Sequence, residues 1–237
     1  MPLNFFGLGS GFSNEHTSAY FKHKDDLILI DLPMSTYTKI KMSDLIAYRE
    51  IFVLITHTHA DHISGLGIFV QFCYFCCGKK VHIVAPSDAV KSDLKVILDI
   101  EGNDPSWYTL VTASDLDQIW LVDAIPTKHS PQLVNKCFGY CLNINGLNVV
   151  YSGDTSTLDP YLPYLKEYSI LYIDVSVHYG AIHCKLEDIL PDLISIASHN
   201  IKINLMHLDD PIQAKQIIEP YTNIEIAPLL KSDLKQL

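Results

Sequence analysis

Seven consecutive residues constrain this chain more than any others: Thr56-His57-Thr58-His59-Ala60-Asp61-His62. They follow residues 51–55, an apolar run that reads as a strand, so their side chains emerge at a strand's C-terminal end, where α/β proteins build their sites. Three imidazoles and a carboxylate within six residues are costly to gather unless something positive holds them. His57 and His59, two apart on an extended chain, project to the same side and can grip one cation. After the chain turns, Asp61 and His62 can reach a second. Imidazole and carboxylate suit Zn first, with Mn and Fe as alternatives. The strand before the motif and the breaks at Gly65 and Gly67 after it argue against a solvated histidine-rich turn.

Composition narrows the partners. With 17 Lys+Arg against 27 Asp+Glu the net charge is −10, which weighs against a general nucleic-acid binder. Arg49 is the sole arginine, so phosphate recognition by several guanidinium forks is excluded and falls to metal ions, lysines or histidines. A chain of 237 residues, 48% apolar and only 19% charged, is not disordered and predicts well-covered sheets. Met1-Pro-Leu-Asn-Phe-Phe-Gly has no basic start before an apolar run, so no secretory signal is expected there. The longest apolar stretch, residues 65–77, is interrupted by Gln71 and is too short for a bilayer, so no membrane partner is expected. The six cysteines (73, 76, 77, 137, 141, 184) have the spacing of neither a disulfide framework nor a zinc ribbon, which predicts reduced thiols, those of Cys73, Cys76 and Cys77 buried, and a cytoplasmic setting. The aromatic and cysteine-rich run at residues 65–77 is read as core or as the face of a homodimer.

With no internal repeat and no linker, residues 1–237 read as one domain. Strands are predicted at 19–21, 27–31, 51–55, 81–85, 120–124, 138–144, 148–152, 170–175 and 203–206. Asn145-Gly146 between two of them is a hairpin turn. Helices are predicted at 43–50 and at 186–198, the latter with apolar residues at 186, 189, 190, 193, 194 and 197. Asp209-Asp210-Pro211 opens a short helix to Glu219. Strands and helices interleave while hairpins intervene, which fits two mixed sheets with helices outside rather than one doubly wound sheet.

His57-Thr-His-Ala-Asp-His62 resembles the HxHxDH signature of the metallo-β-lactamase superfamily, and the resemblance runs along nearly the whole chain. It implies an αββα four-layer sandwich and two divalent metal ions. By resemblance, His57, His59 and His129 hold one ion, Asp61, His62 and His207 the other, and Asp154 bridges both. His129 follows Ala124-Ile-Pro-Thr-Lys, Asp154 follows Val149-Val-Tyr-Ser-Gly, and His207 follows Ile203-Asn-Leu-Met. Asp31, ending Leu27-Ile-Leu-Ile-Asp, is expected to support the site without ligating metal.

Within the superfamily, Phe6-Gly-Leu-Gly-Ser-Gly-Phe-Ser with Thr17-Ser18, and Cys137-Phe-Gly-Tyr140, resemble the ribonuclease Z-like phosphodiesterases. That group carries a late histidine motif, matched here by His183 with Cys184 where Ser or Thr is usual; His178 competes for the role. Asp61 and His183 are therefore the residues expected to act in catalysis, His183 as general acid. The long basic arm of true ribonuclease Z enzymes is missing between residues 65 and 127. With a charge of −10, a small phosphodiester such as a cyclic nucleotide is favoured over nucleic acid as the substrate. Two ions about 3.5 Å apart would generate hydroxide at neutral pH and clamp the ester oxygens. The alternatives are a lactone or thioester hydrolase on the same centre, or a ribonuclease Z-type RNA endonuclease. The extra helical domain of glyoxalase II has no room after His207, and metallo-β-lactamases proper lack the bridging aspartate matched by Asp154.

Overall fold

The structure, a computed structural model, describes residues 1–229. In chain order its strands are β1 (Asn4–Gly7), β2 (Ser18–His23), β3 (Asp26–Ile30), β4 (Glu50–Leu54), β5 (Val81–Ala85), β6 (Tyr108–Thr112), β7 (Leu121–Thr127), β8 (Cys137–Ile144), β9 (Leu147–Tyr151), β10 (Ile170–Asp174), β11 (Lys202–Met206) and β12 (Ile224–Ile226). The α-helices are α1 (Met34–Ile40), α2 (Ala60–Ile63), α3 (Leu66–Cys77), α4 (Asp88–Ile100), α5 (Leu186–Ala197) and α6 (Pro211–Ile218). Strands β1 to β6 form one sheet in sequence order and β7 to β12 form the other. Each sheet begins with two antiparallel pairings and continues with three parallel ones. The two halves of the chain thus repeat one strand pattern that the sequence does not display as a repeat.

Three apolar layers hold the sheets. Phe5, Phe21, Ile28 and Phe52 of the first sheet meet Tyr140, Tyr151 and Tyr172 of the second, and Trp120, just ahead of β7, closes the layer. The outer face of the first sheet is covered by α1, α3 and α4 through Tyr37, Ile40, Phe69, Val70, Leu94 and Leu98. The outer face of the second is covered by α5 and α6 through Leu186, Leu193, Ala214 and Ile218. The architecture is the expected αββα sandwich, and each fully buried aliphatic contributes about 1.5–3 kcal/mol to it.

Local chemistry explains most boundaries. Asn145 and Gly146 both take positive φ (54° and 84°), the primed turn that matches strand twist between β8 and β9. Asp210 caps α6 by accepting from the Gln213 N–H at 2.9 Å, with Pro211 at the first helical position. The helix expected at 43–50 is instead a single 3₁₀ turn, Asp44–Ala47, preceded by α1. Arg49 N–H already bonds Asp25 O at 2.9 Å as β4 enters beside β3, so only one helical turn fits. Ala60–Cys77 has the length and hydropathy of a bilayer span. Its Leu66, Gly67, Phe69, Val70 and Cys73 are buried on the first sheet, and its first turn carries Asp61 and His62. Phe75 and Cys76 lie on its exposed side and Cys77 is half-buried, so of the three thiols expected to be buried only Cys73 is, because only one face of the helix meets the sheet.

Candidate metal centre

Six strands deliver side chains to one end of the sandwich. The chain leaves β4 through Ile55, whose N–H bonds Val84 O, and turns at His59 into α2, so that His57, His59, Asp61 and His62 converge. His129 arrives two residues after β7, Asp154 three after β9, and His207 directly after β11. Gly153 makes the β9 exit possible: at φ +59° a Cβ there would collide with Phe138 O. Asp31 and His207 also take left-handed backbone (φ 58° each), a conformation costing a non-glycine residue about 1–2 kcal/mol.

Three groups of donors result, the third (Asp154, Asp174, His183 and His207) overlapping the second at Asp154 and His207. In the first, His57 Nε2 lies 3.0 Å from His59 Nδ1, and His129 Nε2 lies 3.2 Å from the same atom. In the second, His62 Nε2 lies 3.3 Å from both Asp61 Oδ2 and Asp154 Oδ1, and His207 Nε2 lies 3.4 Å from Asp61 Oδ2. Asp154 joins them, its Oδ2 standing 3.9 Å from His57, 3.6 Å from His129 and 3.3 Å from His207.

The outer bonds fix which ring nitrogen faces inward. His129 Nδ1 donates to Ile182 O at 2.7 Å, and His62 Nδ1 donates to Asp31 Oδ2 at 2.7 Å. Thr56 Oγ1 gives its proton to Asp31 Oδ2 (2.8 Å), so it can only accept from His57 Nδ1 at 3.0 Å. The lone pairs of His57 and His129 Nε2 therefore point at His59. His62 Nε2, buried, faces two carboxylate oxygens at 3.3 Å, Asp61 Oδ2 and Asp154 Oδ1. A positive charge suits the space between these groups, and histidines anchored from behind by carboxylate, hydroxyl and carbonyl are how metal-binding imidazoles are held. The residues fit divalent metal.

Electrostatics agree. Burial, with His62 adding to it, holds the His57 imidazole well below its usual range, and burial lowers His59 and His129 too. Neutral imidazole is the form that ligates metal. Burial opposes charge on Asp154, but His207 and His62 hold its carboxyl well below the usual range. Asp61 is likewise held low against burial by hydrogen bonds from His207 and His62. Burial would lower His207, yet Asp154 and Asp174 raise it to about 10. The second group thus draws positive charge, which a bound divalent ion would supply in place of protons.

Of the two histidines competing as acid, the fold brings only His183 to the centre. Its ring stacks on His207 at 5.0 Å and lies 4.9 Å from His129, while Nδ1 is 2.7 Å from Asp174 Oδ2. His178 is exposed and faces Asp210 at 3.4 Å. Asp174, which sequence reasoning did not single out, sits between His183 and His207, its Oδ1 3.3 Å from His207 Nδ1. Its signal was available: Ile-Leu-Tyr-Ile-Asp174 ends a strand as Leu-Ile-Leu-Ile-Asp31 does. Asp209 was also missed. It accepts from Ser176 Oγ (2.5 Å), Val177 N–H (2.8 Å) and His178 N–H (3.0 Å), fastening the loop that carries His183 beside His207.

Fold and donor groups together define a metal-dependent hydrolase of the metallo-β-lactamase fold, similar to the ribonuclease Z-like enzymes. Within that class the chain belongs to the family described as Anti-Pycsar protein Apyc1, whose profile matches residues 1–225. The Anti-Pycsar protein Apyc1 of Bacillus phage 010DV004 is 25% identical over 237 aligned residues, covering 90% of this chain and 91% of that one. A ribonuclease Z of Methanococcus maripaludis is 30% identical over 95 residues, 38% of this chain and 31% of that enzyme. Among solved structures, the metallo-beta-lactamase fold protein YhfI of Bacillus subtilis superposes with a TM-score of 0.74 at 18% identity, covering 95% of each chain.

Proposed function

We propose that this chain is a dinuclear phosphodiesterase that opens small cyclic nucleotides. The observation that carries the reading is Asp154 standing between two donor groups, with the His183 ring against a histidine of each. His57, His59 and His129 would hold one ion, with Asp154 Oδ2 3.6–3.9 Å from the His129 and His57 nitrogens; Asp61, His62, His207 and Asp154 would hold the other. When bound, two such ions supply a nucleophile from water at neutral pH and neutralise charge on the ester. Zinc suits the donor set best, and manganese or iron suits it too.

The chain's own residues do the rest. Asp31, Thr56 and Ile182 O fix the imidazoles so that only the inward nitrogens are free to bind. Asp174 holds His183 by Nδ1, so Nε2 is the end presented to a leaving oxygen. From there it donates the proton that an alkoxide needs in order to leave. The small substrate is favoured because a charge of −10 and a single arginine give an RNA backbone little to bind. The ribonuclease Z relative supports phosphodiester chemistry over lactone or thioester hydrolysis. Six free cysteines support a reducing, cytoplasmic setting, and we read the chain as one domain.

A turnover screen of the metal-reconstituted protein tests this. It compares 2′,3′- and 3′,5′-cyclic nucleotides, bis(p-nitrophenyl) phosphate, precursor transfer RNA, a lactone and a glutathione thioester. Cyclic nucleotides are expected to lead. Lactone or thioester turnover far above every phosphodiester, or efficient cleavage of precursor transfer RNA, overturns the reading.

A further inference from the structure

Phe12 is wholly exposed, with a relative accessibility of 106%. It sits in a tight turn closed by the Ser13 N–H to Ser10 O bond (2.9 Å), between Gly11 and Ser13, neither of which offers the ring anything apolar. Leaving a phenyl ring in water forgoes about 1.5–3 kcal/mol that burial would supply. Three other aromatics are exposed to a lesser degree: Phe75, Tyr168 and Tyr179. Phe75 leans on Trp107 at 4.9 Å, whereas no ring contact to Phe12 exists among the described residues.

The turn is neither loose nor remote. Gly9 N–H bonds Glu15 O (3.0 Å) and Thr17 N–H bonds Gly9 O (3.0 Å), closing the loop at its base. Ser10 N–H bonds Leu208 O (3.1 Å), and Leu208 N–H bonds Leu8 O (2.7 Å), pinning the loop to the residue after His207. A Cβ on Gly11 would lie 3.1 Å from Asp61 Oδ2. The residue next to Phe12 therefore abuts a carboxylate of the second donor group. An apolar ring is held on an anchored turn beside the centre that, on the proposed function, takes a phosphodiester.

We propose that Phe12 is the face on which the nucleobase stacks while the phosphodiester lies at the metal centre. The inference rests on the reading of the substrate as a cyclic nucleotide. It gives that substrate a second point of attachment, one sugar away from the scissile phosphate. Every base has a π-face, so the contact favours nucleotides over base-free phosphodiesters without selecting one base.

The test measures kcat and KM of wild type, Phe12→Ala and Phe12→Trp on cyclic nucleotides and on glycerol 1,2-cyclic phosphate, which has the ring phosphodiester but no base. Phe12→Ala should lower kcat/KM on cyclic nucleotides about 5- to 100-fold, mainly through KM, the worth of one base–aromatic stack. That loss should exceed the loss on the base-free ester by about tenfold, and Phe12→Trp should recover most of it. Equal losses on the two substrates, or an unchanged KM for nucleotides, overturn the stack alone. Wild-type turnover of the base-free ester with none of any nucleotide overturns both the stack and the reading beneath it. A change of sedimentation coefficient in Phe12→Ala assigns the ring to a contact between copies and likewise overturns the stack.

Discussion

Asp31 and Asp174 do comparable work at opposite sides of the centre: each ends or follows an apolar strand, and each holds an imidazole by Nδ1. Removing such a support weakens metal binding without deleting a ligand. Asp31→Asn should keep both ions at saturating metal but bind them about 10–100-fold more weakly, read by chelator competition. Loss of a whole ion at saturating metal would make Asp31 a ligand. Asp154→Ala differs in kind, because it removes the one carboxylate that both groups share. Elemental analysis of that variant should find only traces of metal, and turnover should vanish; full activity would refute its place. His183→Ala should retain the metal. It should lose about 10²–10⁴-fold on a nucleotide ester with an alkoxide leaving group, and far less on bis(p-nitrophenyl) phosphate. Equal losses on both would make His183 a positioning group instead.

At the scale of elements, the cysteines divide by helix face and strand burial. Burial pushes the thiols of Cys137 and Cys141 up to about 11, and those of Cys73 and Cys184 higher still, whereas Cys76 is exposed on α3. A thiol-exchange reagent should therefore modify Cys76, and more slowly the half-buried Cys77, in the native protein; the other four should react only after unfolding. Rapid modification of all six would contradict this packing. The elements legible beforehand were those whose signals are local. The Asn145-Gly146 turn and the Asp210-Pro211 cap act within four residues. The His57–His62 run declared itself for the same reason. α1 was hidden because Pro33 precedes it without a side-chain cap, and its Thr-Tyr-Thr residues read more like strand than helix. α3 was hidden because its aromatic run is apolar almost all round and shows no helical stripe. Asp174 and Asp209 could not be assigned from spacing, since their partners come from other strands and loops, up to 33 residues away.

For the whole molecule, the repeated strand pattern places the parallel strands of each sheet so that their C-terminal ends face one edge. Residues from both halves must therefore meet there, and Asp154 is the side chain at which they do. The central claim is that this meeting point holds two ions that work together. Titrating zinc into metal-free protein while following cyclic nucleotide hydrolysis tests it most directly. The account predicts no turnover without metal, and a rise that saturates at about two equivalents per chain. Full activity at one equivalent, or hydrolysis by the metal-free protein, would contradict it.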